Sequence, residues 1–236
     1  MSYRWERVVH LVDSAVDFVY PPLCLACDTE IRERRKKICE RCWSLIPPVT
    51  PAGSLYRETR AAVLAGGTID ELLSCYIFET ETPIQQIIHA LKYRQYRSLG
   101  IELGKRIGAA AHAWKIEADI LVPVPLHRIK LRERGYNPSA LIAEGISAVT
   151  GLPIYPGAVR RTRHTKTQTH LHREERQRNV EDAFEARDEY RKDFRGKRCM
   201  LVDDIITTGA TIRSCAGAVR SLGVSSIVAV SAALAR

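Results

Sequence analysis

The sequence predicts an α/β domain with a small four-cysteine module ahead of it, and three observations carry that expectation. The run Cys199 to Thr211, Cys-Met-Leu-Val-Asp-Asp-Ile-Ile-Thr-Thr-Gly-Ala-Thr, reads as an interior strand entering a polar turn, and a helix-like stretch from Ile212 to Leu222 follows. Short apolar runs alternate along the chain with longer segments of helical period. Four of the seven cysteines fall in two Cys-x-x-Cys pairs in the first fifth of the chain.

Composition sets the frame. A chain of 236 residues that is 45% apolar can bury one sizeable core and carry an appendage, while two full domains would be crowded. A formal charge of +9 suits anionic partners such as phosphorylated sugars or nucleic acid, with a solvated basic surface as the plainer reading. Arg4, Glu6, Arg7, His10, Asp13 and Asp17 interrupt the first apolar positions, so no signal-peptide core is expected. No apolar run approaches the roughly 20 residues of a membrane helix, and a cytoplasmic protein without membrane insertion is the expectation. An odd number of cysteines with tight pairing fits metal binding in a reducing compartment better than a disulfide framework.

Taken in order, Val8, Leu11, Val12, Ala15, Val16 and Val19 recur at near-helical spacing until Pro21-Pro22, which predicts a short amphipathic helix packed on its own protein. Cys24, Cys27, Cys39 and Cys42 follow as two knuckles eleven residues apart. Four thiolates so presented make a closed tetrahedral structural zinc site, and a thioredoxin-like redox pair is the alternative. Between the knuckles, Arg34, Arg35, Lys36 and Lys37 lie in a basic run that is either a phosphate-contacting loop tip or a solvated turn. Residues 1–50 are therefore read as helix plus zinc ribbon. Residues 51–69, without clear period, read as linker, and 70–236 as the main domain.

Leu72 to Phe78 predicts a strand, and Pro83 starts a helix whose Ile84, Ile87, Ile88 and Leu91 share a face. Its end, around Lys92, Tyr93 and Arg94, alternates bases with aromatics. That mixture stacks nucleobases and neutralises phosphates, although bases at a helix C-terminus also answer the dipole. A second helix at about 99–114 leads into Asp119-Ile-Leu-Val-Pro-Val-Pro-Leu-His127, a strand that must leave the sheet abruptly at its prolines. Arg132-Glu-Arg-Gly-Tyr-Asn137 reads as loop capping a helix at about 138–150. The polar, basic segment 160–179 reads as a mobile surface element, with a basic linker as the alternative. Ser225 to Ala233 reads as the last strand.

The opening run carries the chemistry. A helix following a strand and turn aims its first amides at the loop, where a phosphate can accept them. Gly209 lets the backbone approach, the hydroxyls of Thr207, Thr208 and Thr211 add donors, and Ala210 lies in the same turn. Asp203 and Asp204, at the carboxyl end of the strand, suit ribose hydroxyls and would repel phosphate, so the site divides into a sugar half and a phosphate half.

This run resembles the 5-phosphoribosyl-1-pyrophosphate (PRPP) motif of the type I phosphoribosyltransferases across all thirteen residues. The resemblance implies a mostly parallel sheet with helices on both faces. It also implies a 5-phosphate held by residues 207–211 and ribose hydroxyls on Asp203 and Asp204. Pro123-Val124-Pro125 resembles the matching stretch of the amidophosphoribosyltransferases, which implies that Leu126, His127 and Arg128 occupy the pyrophosphate-loop position. In the same families a flexible loop closes over PRPP, and Arg161-Thr162, Gln168, Arg176 and Asn179 match its recurring residues. Amidotransferases also require a glutaminase domain, which is not expected within these 236 residues, so a free-standing amidophosphoribosyltransferase is not the expectation. With the zinc knuckles, the Lys92-Tyr93 segment and Arg-x-Arg-Gly-Tyr-Asn, nearly the whole chain resembles the ComF family, bacterial proteins linked to DNA uptake. It departs at Pro138, where that family usually has Gln. The resemblance implies a PRPP-binding protein that contacts single-stranded DNA and works with other DNA-uptake proteins. The alternative is an active transferase, with Mg²⁺ bridging pyrophosphate and ribose oxygens, Asp203 and Asp204 stabilising an oxocarbenium-like sugar, and an unknown nitrogen acceptor.

Overall fold

In the computed structural model of the chain, residues 21–31, 33, 36–162 and 183–236 are described. The amphipathic helix read into residues 8–19 lies outside them, as do Arg34, Arg35, Gln168, Arg176 and Asn179. In chain order the elements are α1 (Glu40–Ser44), α2 (Ser54–Leu64), β1 (Glu71–Ile77), α3 (Pro83–Tyr93), α4 (Arg97–Ala113) and β2 (Ile120–Pro123). Then come α5 (Arg128–Arg134), α6 (Pro138–Thr150), β3 (Val159–Arg161), β4 (Phe184–Ala186), α7 (Arg191–Phe194), β5 (Arg198–Ile206), α8 (Ala210–Arg220) and β6 (Ser226–Leu234).

The main sheet runs β1-β6-β5-β2 with every pairing parallel. Outside β2, Leu121 bridges Ile154 in parallel, its amide donating to Pro153 O at 2.9 Å and its carbonyl accepting from Tyr155 N at 2.8 Å. At the opposite edge residues 47–49 run antiparallel to β1, with Pro48 facing Tyr76. The sheet is thus mostly parallel, as expected.

Period-two alternation distributes its side chains to two cores. Leu73, Leu121, Met200, Val202, Val228 and Val230 join the buried faces of α3, α4 and α6 in one. Leu72, Val122, Cys199, Leu201, Ile227 and Ala229 join Tyr56, Val63, Ile212 and Val219 from α2 and α8 in the other. Ile84, Ile87, Ile88 and Leu91, the face read from the sequence, are all buried. Helices α4 and α6 cross with almost no side-chain spacer: a Cβ on Gly104 would lie 2.0 Å from Ile142 O, and one on Gly145 would lie 2.1 Å from Ile101 O.

Three local readings are corrected. Residues 54–64, inside the stretch read as linker, form α2, with Tyr56, Thr59 and Val63 buried and Tyr56 Oη donating to Leu72 O at 2.8 Å. Its polar intervening residues masked the spacing. Residues 128–134, read as loop, form α5, none of whose residues is buried, so no apolar period betrays it. β5 continues past Asp203 and Asp204 to Ile206, because the two carboxylates do not interrupt the backbone ladder with β6. Among the described residues no helix is long and apolar enough to cross a membrane.

Candidate functional site: a carboxylate pair and a glycine turn

β5 brings Asp203 and Asp204 toward the carboxyl end of the sheet on opposite faces of the strand. Asp204 is buried, and its Oδ1 accepts from Lys92 Nζ at 2.9 Å. Asp203 Oδ1 accepts from Ser139 Oγ at 3.1 Å and from the Asp204 amide at 2.8 Å. Burial, and then the neighbouring Asp204 charge, push the Asp203 carboxyl up to about 7, against the pull of Lys92 and the two hydrogen bonds.

Past Ile206 the chain turns through Thr207 and Thr208 into Gly209, whose φ of 75° is left-handed, and α8 begins at the next residue. Residues 205–212 and Asp203 line a hollow of about 40 Å³. The hollow lies at the N-terminus of α8, where a helix leaves its first amides without intrahelical acceptors and can receive an anion. Thr208 Oγ1 accepts from the Ala210 amide at 3.4 Å. Arg213, in the first turn of α8, braces the loop from behind by donating to Thr208 O at 3.1 Å and to Ala62 O. Gly209 is also required by packing, because a Cβ there would lie 2.7 Å from Val63 Cγ2 of α2.

The Arg-x-Arg-Gly-Tyr-Asn run proves to be the frame of the site. Tyr136 Oη donates to Leu91 O at the end of α3. Asn137 Nδ2 donates to Val124 O at 2.9 Å just past β2, while its Oδ1 caps α6 by accepting from Ser139 N at 3.2 Å. Ser139 in turn holds Asp203. One turn thus links α3, β2 and α6 to the carboxylate pair. Pro138 sits in the first turn of α6, where a missing amide donor costs nothing.

Other predicted residues fall as follows. Val124 N still donates to Val202 O at 2.8 Å, so the chain leaves the sheet only at Pro125. Leu126 is half-buried; His127 is buried and caps α5, its Nδ1 accepting from Ile129 N at 3.3 Å, and Arg128 is exposed. Arg161 is half-buried on β3, its guanidinium 5.3 Å from the Phe184 ring centroid; burial lowers its pKa and the Asp203 charge opposes this. Of the basic candidates, Lys92 turns inward to Asp204, Tyr93 is 67% exposed, and Arg94 is exposed beside it. Lys36 pairs with Glu33 at 3.2 Å and Glu40 at 3.3 Å, and the Lys37 carbonyl accepts from Leu25 N at 2.9 Å. Sequence reasoning missed Ser139 and Arg213. Ser139 had a signal, two residues after an N-cap and at the sheet's ligand end, whereas Arg213 had none.

At the N-terminal module the four cysteine sulfurs all lie within 4.8 Å of one another. Zn–S bonds of about 2.3 Å in a tetrahedron require S···S edges of about 3.8 Å, and Cys27 Sγ to Cys39 Sγ is 3.7 Å. Cys39 N and Ala26 N point at Cys24 Sγ at 3.3 and 3.5 Å, and Cys42 N points at Cys39 Sγ at 3.4 Å. Such amides steady metal-bound thiolates. The residues fit a closed structural zinc site in which Cys24, Cys27, Cys39 and Cys42 would hold the ion.

A four-cysteine ribbon joined to a mostly parallel α/β sheet, with a carboxylate pair near a helix-initiating glycine turn, defines an α/β protein that carries an N-terminal zinc-ribbon module. Residues 15–53 match the family described as double zinc ribbon domain. The chain is a homologue of competence protein F of Haemophilus influenzae, 31% identical over 61% of this chain and 65% of that protein. It is likewise a homologue of the DNA utilization protein YhgH of Escherichia coli, 30% identical over 55% of this chain and 58% of that one. The matches therefore span less than two thirds of either relative's length. Among solved structures, the glutamine PRPP amidotransferase of B. subtilis, complexed with ADP and GMP, overlaps 61% of this chain and 30% of its own at 22% identity and a TM-score of 0.42. That overlap is too loose to transfer a ligand or an activity.

Proposed function

We propose that this competence-related, phosphoribosyltransferase-like protein binds PRPP with Mg²⁺ and serves DNA uptake from the cytoplasm, contacting single-stranded DNA and other DNA-uptake proteins. The observation that carries the ligand is the juxtaposition of Asp203 and Asp204 with the Gly209 turn. The carboxylates accept ribose hydroxyls while amides and threonine hydroxyls of residues 207–211 take the 5-phosphate. A ribose that donates to Asp204 takes over the role Lys92 plays there at 2.9 Å. Leu126, His127 and Arg128 would face the pyrophosphate, whose charge Mg²⁺ neutralises when bound. The names of the relatives support the link to DNA, and the net charge of +9 agrees with an anionic polymer as partner.

The test is calorimetric titration of the zinc-loaded chain with PRPP and Mg²⁺, paired with transformation assays in a naturally competent bacterium that depends on this chain. Asp203→Asn with Asp204→Asn is expected to weaken PRPP at least tenfold and to lower transformation frequency. Absence of PRPP binding to the wild-type chain sinks the ligand assignment. Normal transformation with a PRPP-dead variant sinks the link between this pocket and DNA uptake.

A further inference from the structure

A cleft of about 220 Å³ opens beside the carboxylate pair, lined by Lys92, Tyr93, Gln95, Lys130, Glu133, Arg134 and Tyr136. It lies between the end of α3 and α5, the helix that hydrophobic pattern did not reveal. We propose that this cleft seats one base of single-stranded DNA. This rests on the DNA part of the preceding reading and gives it a place.

Five observations converge. The two tyrosines divide the labour: Tyr136 is 7% exposed and anchors α3, whereas Tyr93 is 67% exposed, an aromatic surface the core does not use. Exposed aromatics among cations are stacking platforms for bases of any sequence. The Arg134 guanidinium stands 5.3 Å from the Tyr93 ring centroid, and the His89 ring lies 5.0 Å away, so the platform is flanked by two further planar groups. Lys130 and Arg134, one turn apart on α5, offer cations for the phosphates on either side of the base. The volume is below the roughly 300–1,000 Å³ of pockets that enclose a drug-sized ligand, so it suits one planar ring with its backbone outside. Lys92 is common to this cleft and to the Asp204 ion pair, so a base held there sits next to the sugar half of the carboxylate site.

Fluorescence anisotropy with a labelled oligothymidylate, on the full zinc-loaded chain at graded KCl, tests this. Tyr93→Ala is expected to weaken binding about 5- to 150-fold, the range for losing one stacked base, and Tyr93→Phe to retain it. Lys130→Ala with Arg134→Ala is expected to flatten the log-log salt slope by about 1.4, two single-strand phosphate contacts. The melting temperature of the Tyr93 variants should stay at the wild-type value, because the ring is exposed. Wild-type affinity and slope in all these variants would overturn the proposal while leaving DNA binding elsewhere on the protein intact. Failure of the wild-type chain to bind the oligomer at low salt overturns both this and the DNA part of the proposed function. Displacement of the oligomer by thymidine monophosphate at matching concentration makes a free nucleotide the occupant and overturns the strand reading.

Discussion

At the scale of single residues, the site depends on one backbone conformation and one protonation equilibrium. Gly209 adopts φ 75° with Val63 close behind it, so Gly209→Ala combines a left-handed strain of about 1–2 kcal/mol with a steric clash. The expected outcome is a loop that no longer presents its amides: PRPP affinity falls beyond calorimetric detection, and the melting temperature drops by several degrees. Asp203 gives the second prediction. Its carboxyl titrates at about 7 in the fold against an ordinary 3.8, so between those values the folded chain holds a proton that the unfolded chain lacks. Stability from this group is therefore complete below pH 3.8, declines as pH rises through the window and is gone above 7. Asparagine avoids burying the charge. Asp203→Asn should match wild type in thermal melts at pH 4 and exceed it at pH 8, while weakening ribose binding at pH 8. Equal differences at both pH values would refute the titration argument.

At the scale of elements, the α4–α6 crossing is the least forgiving contact. Gly104→Ala would set a Cβ 2.0 Å from the Ile142 carbonyl and 2.7 Å from the Gly145 Cα, with backbone rather than flexible side chains in the way. The helices must separate, and α6 carries Ser139 with it, so a loss of about 3 kcal/mol or more in urea denaturation is expected together with weaker PRPP binding. Gly217 on α8 is the control: nothing lies within 4 Å of its Cβ position, and Gly217→Ala should stabilise by about 0.5–1 kcal/mol. Elements were legible in the sequence to the degree that their apolar period was unmixed. α3 announced itself through Ile84, Ile87, Ile88 and Leu91, and β5 through Cys199 to Val202. α2 and α5 did not, because one buries only Tyr56, Thr59 and Val63 among polar neighbours and the other buries nothing. The carboxylate pair and the glycine turn were readable because they are contiguous. Lys92 on Asp204, Ser139 on Asp203 and Arg213 on Thr208 were not, since side chains from separate elements meet there only through the tertiary fold.

At the scale of the whole molecule, the zinc ribbon is built into the same core as the sheet. Cys24, Ile38, Cys42, Trp43 and Ile46 share one apolar cluster with Leu73, Leu103 and Ile107. The Arg106 guanidinium of α4 stacks over the Trp43 ring at 4.0 Å and reaches Glu40 at 3.5 Å, and residues 47–49 continue the ribbon as an antiparallel edge on β1. A closed thiolate site binds its ion only when folded, so ion binding and folding of the ribbon are one equilibrium. Because the ribbon covers part of the α3, α4 and α6 core, that equilibrium extends to the sheet. Removing the ion by chelation, or Cys42→Ser, is therefore expected to lower the melting temperature of the entire chain in one transition rather than release the ribbon from an unchanged domain. A coupling on the order of 3 kcal/mol corresponds to about 6–12 °C for a chain of this size. Arg106→Ala removes the stacked cation without touching a zinc ligand, and should shrink that shift by weakening the joint between the two parts. Calorimetric scans showing an early ribbon transition followed by a main transition at the holoprotein temperature would refute the coupling. A single lowered transition, restored by adding Zn²⁺, supports it, and then a metal site that does not include the carboxylates governs how firmly α3 and α6 hold Lys92 and Ser139 against them.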